Sequence, residues 1–248
     1  MKPGVLAALG AVLAGCIVIG DEDAPISAIH LPAPAPNGTP EAVVVLPGFG
    51  DNAERMRDRG FAQAVQRAWP HADVLLTNAT FAYYSNGALV SRLEQDVIGP
   101  ARKRYAKVWL AGASMGGAGT LLYERAHPGQ LTGLLLMAPF LGDDELLEEV
   151  RAAGGVRKWE PGPAPAVVDG DNWQREVWRV IKDWSRDPAL ARRVWLLCGT
   201  SDKLLAASRL AAPALPAAHY AEVEGGHKWE VWGPAAEATL ARARAGDA

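Results

Sequence analysis

Residues 107–126, KVWLAGASMGGAGTLLYERA, decide the fold, because an apolar run passes directly into a helix-like run. The first five residues predict a buried strand, and the segment from Met115 onward predicts a helix that ends before Pro128. Between them, residues 112–116 match the G-x-S-x-G pattern, in which a sharp strand-to-helix turn exposes a serine. Small neighbouring residues allow such a strained turn. The stretch therefore predicts Ser114 as a nucleophile at the end of a strand.

Outward from this stretch, apolar runs of strand length alternate with longer helix-like runs. This alternation is typical of an α/β fold, with a mainly parallel central sheet flanked by helices. We predict strands over 42–46, 73–77, 107–111, 133–138, 194–198 and 219–223, and helices over 53–69, 91–105 with an interruption at Pro100, 115–126 and 234–244. The stretch 142–193 is too long for one crossover, so residues 143–190 are expected to hold a small helical cap insertion.

The composition indicates one ordinary globular domain. The chain has 248 residues, of which 49% are apolar, and a formal net charge of -3. No cluster of Lys and Arg indicates nucleic-acid binding, and a pI near 6.0 argues against a polybasic membrane-binding surface. The sequence has no H-E-x-x-H, paired C-x-x-C or phosphate-binding G-x-x-x-x-G-K-[ST] motif, so we expect no metal and no cofactor. Cys198, in an apolar run, is predicted to be a core residue.

The first residues differ from the rest of the chain. Lys2 is followed by an uncharged, mostly apolar run over 5–20, which is shorter than a typical spanning helix and predicts an export signal. Residues 13–16, Leu-Ala-Gly-Cys, resemble the bacterial lipobox, which implies a signal peptide over 1–16 and a lipid on Cys16. An uncleaved anchor and a plain secretory signal stay open as alternatives. The lipobox would place the protein in the bacterial cell envelope, on the periplasmic or extracellular face, with the membrane as a partner.

A Pro- and Ala-rich segment over 17–40 is predicted to be a tether, and the folded domain is predicted over 41–248. A short apolar piece at 26–31 leaves an additional edge strand open.

Polar groups follow three further predicted strands, and the carboxyl ends of parallel strands meet at one edge of a sheet. His227, after two glycines, is the candidate base for Ser114, because imidazole titrates near neutral pH. Asp202 is the preferred carboxylate to orient its ring. Asp143 stays open as an alternative acid, and Asp171 is a poorer third choice.

The negative oxygen of a tetrahedral intermediate needs preorganised N–H donors. The amide of Met115, which follows the nucleophile at a helix N-terminus, is the first candidate. The second is Phe49, in the glycine-rich turn after the first predicted strand. Asp51 and Glu54 have the spacing of a capping box and are predicted to start a helix.

These motifs together resemble the α/β-hydrolase superfamily of the serine esterase type. The resemblance rests on residues 46–50, 112–117, 199–202 and 226–227, in the order Ser, Asp, His, and covers the chain from about Glu41 onward. It implies an eight-stranded type of sheet, a Ser-His-Asp triad and no cofactor. Residues 225–232, GGHKWEVW, also resemble the ending of several bacterial carboxylesterases of the esterase D and feruloyl-esterase type. Trp229 and Trp232 are three apart and are expected to pack on one helix face.

The resemblance implies a carboxylesterase that forms an acyl-enzyme. Four tryptophans in the predicted insertion indicate either an apolar wall, which would favour a lipophilic ester substrate, or core packing. Thioesterase, lipase, peptidase and acyltransferase activities use the same residues, and a non-catalytic, lipid-anchored binding module is a further alternative. The sequence leaves open the physiological substrate, the membrane that holds the anchor and the oligomeric state.

Overall fold

The computed structural model describes residues 18–246, so Cys16 and the predicted signal peptide lie outside the described residues. The strands are β1 Ala28–Leu31, β2 Glu41–Leu46, β3 Ala72–Thr77, β4 Lys107–Ala113, β5 Gly133–Met137, β6 Val194–Gly199 and β7 Tyr220–Val223. They form one sheet in the order β1-β3-β2-β4-β5-β6-β7. β1 is antiparallel to β3, and the other neighbouring pairs are parallel. The predicted mainly parallel sheet is confirmed, and among the described residues it has seven strands, where the resemblance implied an eight-stranded type.

Eleven α-helices flank this sheet within the described range. They are α1 Ala53–Asp58, α2 Phe61–Ala68, α3 Phe81–Ser85, α4 Leu89–Arg92, α5 Gly99–Arg104, α6 Met115–Ala126, α7 Asp144–Ala152, α8 Trp173–Arg186, α9 Pro188–Ala191, α10 Leu205–Ala211 and α11 Trp229–Gly246. A π-helical segment, Leu93–Ile98, joins α4 to α5. Short 3-10 turns cover Ala212–Ala214 and Ala217–His219.

Three helix predictions need correction. The helix predicted over 91–105 has no interruption at Pro100: it is continuous from Leu89 to Arg104, and its irregular part is the π-helical segment before Gly99. The predicted helix over 53–69 is divided into α1 and α2, because Gly60 adopts a left-handed φ of 72° between them. The predicted helix over 234–244 begins earlier, at Trp229, and contains Pro234 in its interior. Burial of Trp229 and Trp232 against the sheet outweighs the backbone hydrogen bond that the proline removes. The helix predicted over 115–126 is confirmed as α6.

Each face of the sheet carries its own hydrophobic core, as the alternation along β2 shows. Val43 and Val45 face a core formed with α1, α2 and α11, while Val44 and Leu46 face a core formed with α4 to α6 and α8. Because side chains alternate along a strand, a β-strand that is covered on both faces reads as a continuous apolar run. This explains why the central strands were readily predicted from the sequence.

The segment between β5 and β6 contains α7, a long loop, α8 and α9. α8 packs on α6 and covers the sheet as a crossover helix, whereas α7 and the loop lie beside the cleft described below. Of the four tryptophans here, Trp159, Trp178 and Trp184 are buried in the core and Trp173 lines the cleft. Core packing is therefore the main role of these residues.

The apolar piece at 26–31 does add an edge strand, β1. Ile26 is buried and its amide donates to Asp96 Oδ2 at 2.9 Å. His30 Nε2 lies 2.6 Å from Asp73 Oδ2. The sheet thus begins before Glu41, the expected start of the folded domain, because these long-range contacts hold a segment whose composition alone resembles a tether.

Candidate active site

Ser114 lies on a strained turn between β4 and α6. Its φ of 53° and ψ of -115° fall outside the regions that non-glycine residues ordinarily adopt. Backbone bonds fix this conformation: the Ser114 amide donates to Met137 O at 2.9 Å, and the Phe140 amide donates to Ser114 O at 2.9 Å. Strain of this kind is maintained when the surrounding structure over-determines it, and it is concentrated at functional sites.

The glycines of the pentapeptide are required by close backbone approach. A Cβ on Gly116 would lie 2.5 Å from Leu46 O, and a Cβ on Gly112 would overlap the carbonyl oxygen of Gly116. Both approaches are closer than van der Waals contact allows. The two glycines of the G-x-S-x-G pattern are therefore needed for α6 to pack closely against β2 and β4.

His227 and Asp202 lie in the loops after β7 and β6 and form a hydrogen-bonded pair. His227 Nδ1 lies 2.9 Å and 2.8 Å from the two carboxylate oxygens of Asp202. Because an ionised carboxylate only accepts hydrogen bonds, Nδ1 carries the proton, and Nε2 of the neutral ring is left as an acceptor. The Asp202 side chain is fully buried, whereas that of His227 is 25% exposed. The pair thus has the arrangement of a base and its orienting carboxylate.

The two alternative acids are bonded elsewhere. Asp143 Oδ1 accepts the Leu146 amide at 3.0 Å, so this carboxylate caps the N-terminus of α7. Asp171 is exposed, in a turn with Asp169.

Ser114 and His227 line the same small cleft, which has a volume of about 320 Å³. Phe49 and Lys203 are also part of its wall. The register of the sheet explains why these residues lie together. Leu46 pairs with Gly112, and Gly199 pairs with Val223, so the carboxyl ends of β2, β4, β6 and β7 lie at the same edge of the sheet. The residues predicted from four strand ends are thus brought to one place.

The two candidate oxyanion donors lie beside Ser114. Met115 is the first residue of α6, so its amide has no intrahelical acceptor and lies at the positive end of the helix dipole. Phe49 belongs to a turn closed by a bond from the Asp51 amide to Gly48 O at 3.1 Å. This turn approaches the serine closely, since a Cβ on Gly48 would lie 3.6 Å from Ser114 Cβ.

The capping-box interpretation of Asp51 is wrong. Asn52 caps α1, accepting the Arg55 amide at 2.9 Å. The Asp51 carboxylate is buried and accepts hydrogen bonds from Arg59 Nη1 at 2.7 Å and from the indole N–H of Trp229. It therefore connects the turn that carries Phe49 to the loop that carries His227. No local pattern could reveal this, because Trp229 is 178 residues away in the chain.

A second, larger cleft of about 1780 Å³ shares Phe49, Ser114 and Lys203 with the small one. Its wall is rich in aromatic and aliphatic side chains, including Phe49, Phe81, Phe140, Leu147 and Trp173. Phe49 and Phe81 meet edge to face with ring centroids 5.2 Å apart, and Phe140 and Trp173 are 5.9 Å apart. Sequence reasoning missed most of these residues, because they come from separate segments and match no motif.

Cys198 and His219, which lie outside the site, are packed in the protein interior or against an aromatic ring. Burial raises the pKa of the Cys198 thiol to about 11, so this thiol stays protonated at neutral pH. His219 stacks on Trp195 with ring centroids 3.8 Å apart, and burial lowers the pKa of its imidazole. Within residues 18–246, no group of His, Cys, Asp and Glu is placed to hold a metal ion, and no helix is long and apolar enough to cross a membrane.

Residues 83–243 match the model of the Esterase family, described as "Putative esterase". No curated protein matches the chain by sequence. Similar solved structures include Est1E from Butyrivibrio proteoclasticus, with a TM-score of 0.55, 15% identity and coverage of 89% of this chain and 92% of that one. The monoacylglycerol lipase of Paleococcus ferrophilus gives a TM-score of 0.56, 17% identity and coverage of 88% and 98%. S-formylglutathione hydrolase (FrmB) from Staphylococcus aureus gives 0.56, 11%, 91% and 99%. These likenesses confirm the predicted α/β-hydrolase fold.

Proposed function

The chain belongs to the Esterase family and is a carboxylic ester hydrolase, and from this premise we propose that it acts through a Ser114–His227–Asp202 triad and an acyl-enzyme intermediate. The observation that carries the proposal is the convergence of a strained serine and a carboxylate-bound imidazole on one cleft. Family membership gives the class of reaction, and these residues supply a mechanism for it.

In the first half-reaction, Ser114 Oγ attacks the ester carbonyl carbon while His227 Nε2 takes the hydroxyl proton. The resulting imidazolium is stabilised by the Asp202 carboxylate at Nδ1. The tetrahedral oxyanion accepts hydrogen bonds from the amides of Met115 and Phe49. As the intermediate collapses, the C–O bond breaks, and the imidazolium gives its proton to the departing alkoxide, which leaves as the alcohol.

In the second half-reaction, water replaces the alcohol. His227 takes a proton from the water as its oxygen attacks the acyl carbon, and a second tetrahedral intermediate forms in the same oxyanion site. Its collapse releases the carboxylic acid and returns the proton to Ser114 Oγ.

We expect a lipophilic ester as the substrate. The large cleft places aromatic and aliphatic side chains beside Ser114, and ligand pockets of this kind bind apolar groups through burial of their surface. Monoacylglycerol lipase and Est1E with bound ferulic acid are among the structural relatives. An apolar acyl chain or an aromatic ring fits the chemistry of this wall.

The mechanism is tested by fluorophosphonate labelling together with a graded panel of p-nitrophenyl esters. Wild-type protein should take the label, and Ser114→Ala should take none and lose about 10⁴-fold or more in kcat. His227→Ala should lose turnover to a similar extent. Equal labelling of wild type and Ser114→Ala would contradict the proposal. Matched thioesters, and product analysis with added short alcohols, would separate ester hydrolysis from thioesterase and acyltransferase activity.

We also propose that the mature protein is anchored to a membrane of the cell envelope through a lipid on Cys16. Support comes from the Leu-Ala-Gly-Cys sequence at the end of the apolar run. Intact-mass analysis of the protein from its membrane fraction should show cleavage before Cys16 and an added diacylglyceryl mass. A mature protein that retains Met1 and has no acyl mass would contradict this proposal.

A further inference from the structure

Exposed hydrophobic side chains gather around the mouth of the large cleft. Among residues 18–246, the large hydrophobic side chains that are exposed are Ile19, Phe49, Phe81, Val167 and Val168, which we call the apolar rim. Val167 is 70% exposed and Phe49 is 55% exposed. All but Ile19 line the large cleft. Single exposed apolar residues are ordinary, but a cluster at one opening is typical of an interaction surface.

Ile19 joins this rim through α3. The Ala82 amide donates to Ile19 O at 2.9 Å, next to Phe81, whose ring meets that of Phe49. The following residues continue along the same helix: Tyr83 Oη donates to Ala24 O at 3.0 Å. The described part of the chain therefore begins at the rim of the cleft, and its first residues are fastened there by hydrogen bonds.

The position of Ile19 limits where the preceding residues can reach. Cys16 is three residues before it, and three residues span at most about 10 Å when fully extended. The run over 5–20 carries no charged side chain. A lipid on Cys16, or an uncleaved apolar segment, would thus be joined to the chain within about 10 Å of Ile19.

We propose that the apolar rim docks on the surface of a lipid bilayer, so that the mouth of the large cleft faces the membrane and ester substrates enter from the lipid. Docking itself is independent of the proposed catalytic mechanism, and only substrate entry rests on it. The two valines and two phenylalanines would lie among the headgroups and upper acyl chains, where apolar side chains stabilise peripheral binding.

The charges beside the rim are mixed. Glu148 and Asp169 line the same cleft as Arg151 and Lys203. A surface without a basic excess gains little from anionic lipid, so its binding should depend on apolar burial and respond weakly to salt. We therefore expect docking on phosphatidylcholine, which carries no net charge.

The first test measures binding to sucrose-loaded phosphatidylcholine vesicles by sedimentation. It uses the full chain with Cys16→Ser, which cannot be lipidated at that position. The rim variant Val167→Asp/Val168→Asp should lower the partition coefficient at least about tenfold. The control Ala217→Asp/Ala218→Asp adds the same charges at exposed positions before β7, at the opposite end of the strands, and should change it less than about twofold. All these chains retain residues 1–18, so their difference reports on the rim.

The second test measures orientation with an environment-sensitive fluorophore. It is attached to Val168→Cys or to Ala218→Cys in the Cys16→Ser chain, where Cys198 is buried and its raised pKa keeps it from reacting. Brominated phosphatidylcholine should quench the probe at 168 and leave the probe at 218 unchanged. Equal quenching at both positions would overturn the proposal even if the protein binds vesicles.

Two other outcomes would also overturn it: equal vesicle binding by the rim and control variants, and a rim-dependent dimer that binds no vesicles, which would make a second copy the occupant. The catalytic mechanism is tested separately. Ser114→Ala should lose turnover of soluble p-nitrophenyl acetate and still bind vesicles as wild type does. Turnover retained by Ser114→Ala would contradict the mechanism and leave the docking proposal unaffected.

Discussion

The two sides of the site are held in place by different forces. Ser114 is fixed by backbone contacts, through glycines at which any Cβ would meet other atoms and through backbone hydrogen bonds with Met137 and Phe140. His227 is fixed by side chains, since Asp202 from the loop after β6 holds its ring, and Trp232 from the adjoining helix α11 packs edge to face on it with ring centroids 4.7 Å apart. The side of the proposed nucleophile (the nucleophile side) is thus held by backbone packing, and the side of the proposed base (the base side) is held by polar and aromatic contacts.

This difference predicts different responses to substitution. On the base side, a nearly isosteric change can remove function while leaving the fold intact, because the hydrogen bonds are specific. On the nucleophile side, adding one methyl group should already disturb the fold, because the backbone segments are in contact. Four pairs of variants test this contrast.

The largest expected effect is at the carboxylate of the base side. Asp202→Asn should lower kcat about 10⁴-fold, because an amide cannot hold His227 in the productive tautomer or stabilise the imidazolium. Kinetics with p-nitrophenyl butyrate measure this loss. Asp143→Asn is the matched control and should stay within a few-fold of wild type, because asparagine also caps a helix. A larger loss in Asp143→Asn would transfer the role of the acid to Asp143.

The turn at Phe49 joins the two sides, and its amide can be removed selectively. Phe49→Pro lacks the N–H proposed to meet the oxyanion, so kcat should fall about 10²- to 10³-fold. Phe49→Ala retains the N–H and serves as the control for the lost ring. Steady-state kinetics on a short acyl ester compare the two variants, with circular dichroism to verify folding. Equal kcat values would exclude this amide as a donor.

The network behind the base side is tested with two tryptophans of α11. Trp229 donates its indole N–H to Asp51, whereas the indole N–H of Trp232 is buried without a hydrogen-bond partner. Trp229→Phe should therefore lower the free energy of unfolding by about 1.5 to 3 kcal/mol more than Trp232→Phe does, the contribution of a hydrogen bond to a charged group. Urea unfolding of both variants measures the difference. Equal losses would mean that packing alone accounts for Trp229.

The smallest expected effect is at the nucleophile side. Gly112→Ala forces a methyl group against the backbone of α6 and should lower the free energy of unfolding by about 1 to 3 kcal/mol. Gly233→Ala is the control: apart from its chain neighbours and the backbone of its own helix, no atom lies within 4 Å of a Cβ there, and alanine in a helix interior should add up to about 1 kcal/mol. Denaturant unfolding measures both changes. If Gly112→Ala is also stabilising, the steric account of the turn is wrong.

Much of the fold was predictable because its signals are local. The six predicted strands are present with ends that differ by at most two residues, and α6 has the bounds that were predicted. The early start of α11 could not be predicted, because Pro234 ordinarily argues against a helix and only burial of the two tryptophans offsets it. β1 was left open because the strand that it pairs with, β3, is distant in the chain.

The sequence by itself determined the strand-turn-helix around Ser114, because the apolar strand, the small residues of the turn and the helix follow one another directly in the chain. It also determined which types of residue stand at the other strand ends. Only the tertiary structure decided which carboxylate meets His227, that Asp51 joins the Phe49 turn to Trp229, and that the first described residues lie at the cleft mouth. Hydrogen bonds and burial between distant segments depend on the register of the sheet and on helix packing, which no local pattern encodes.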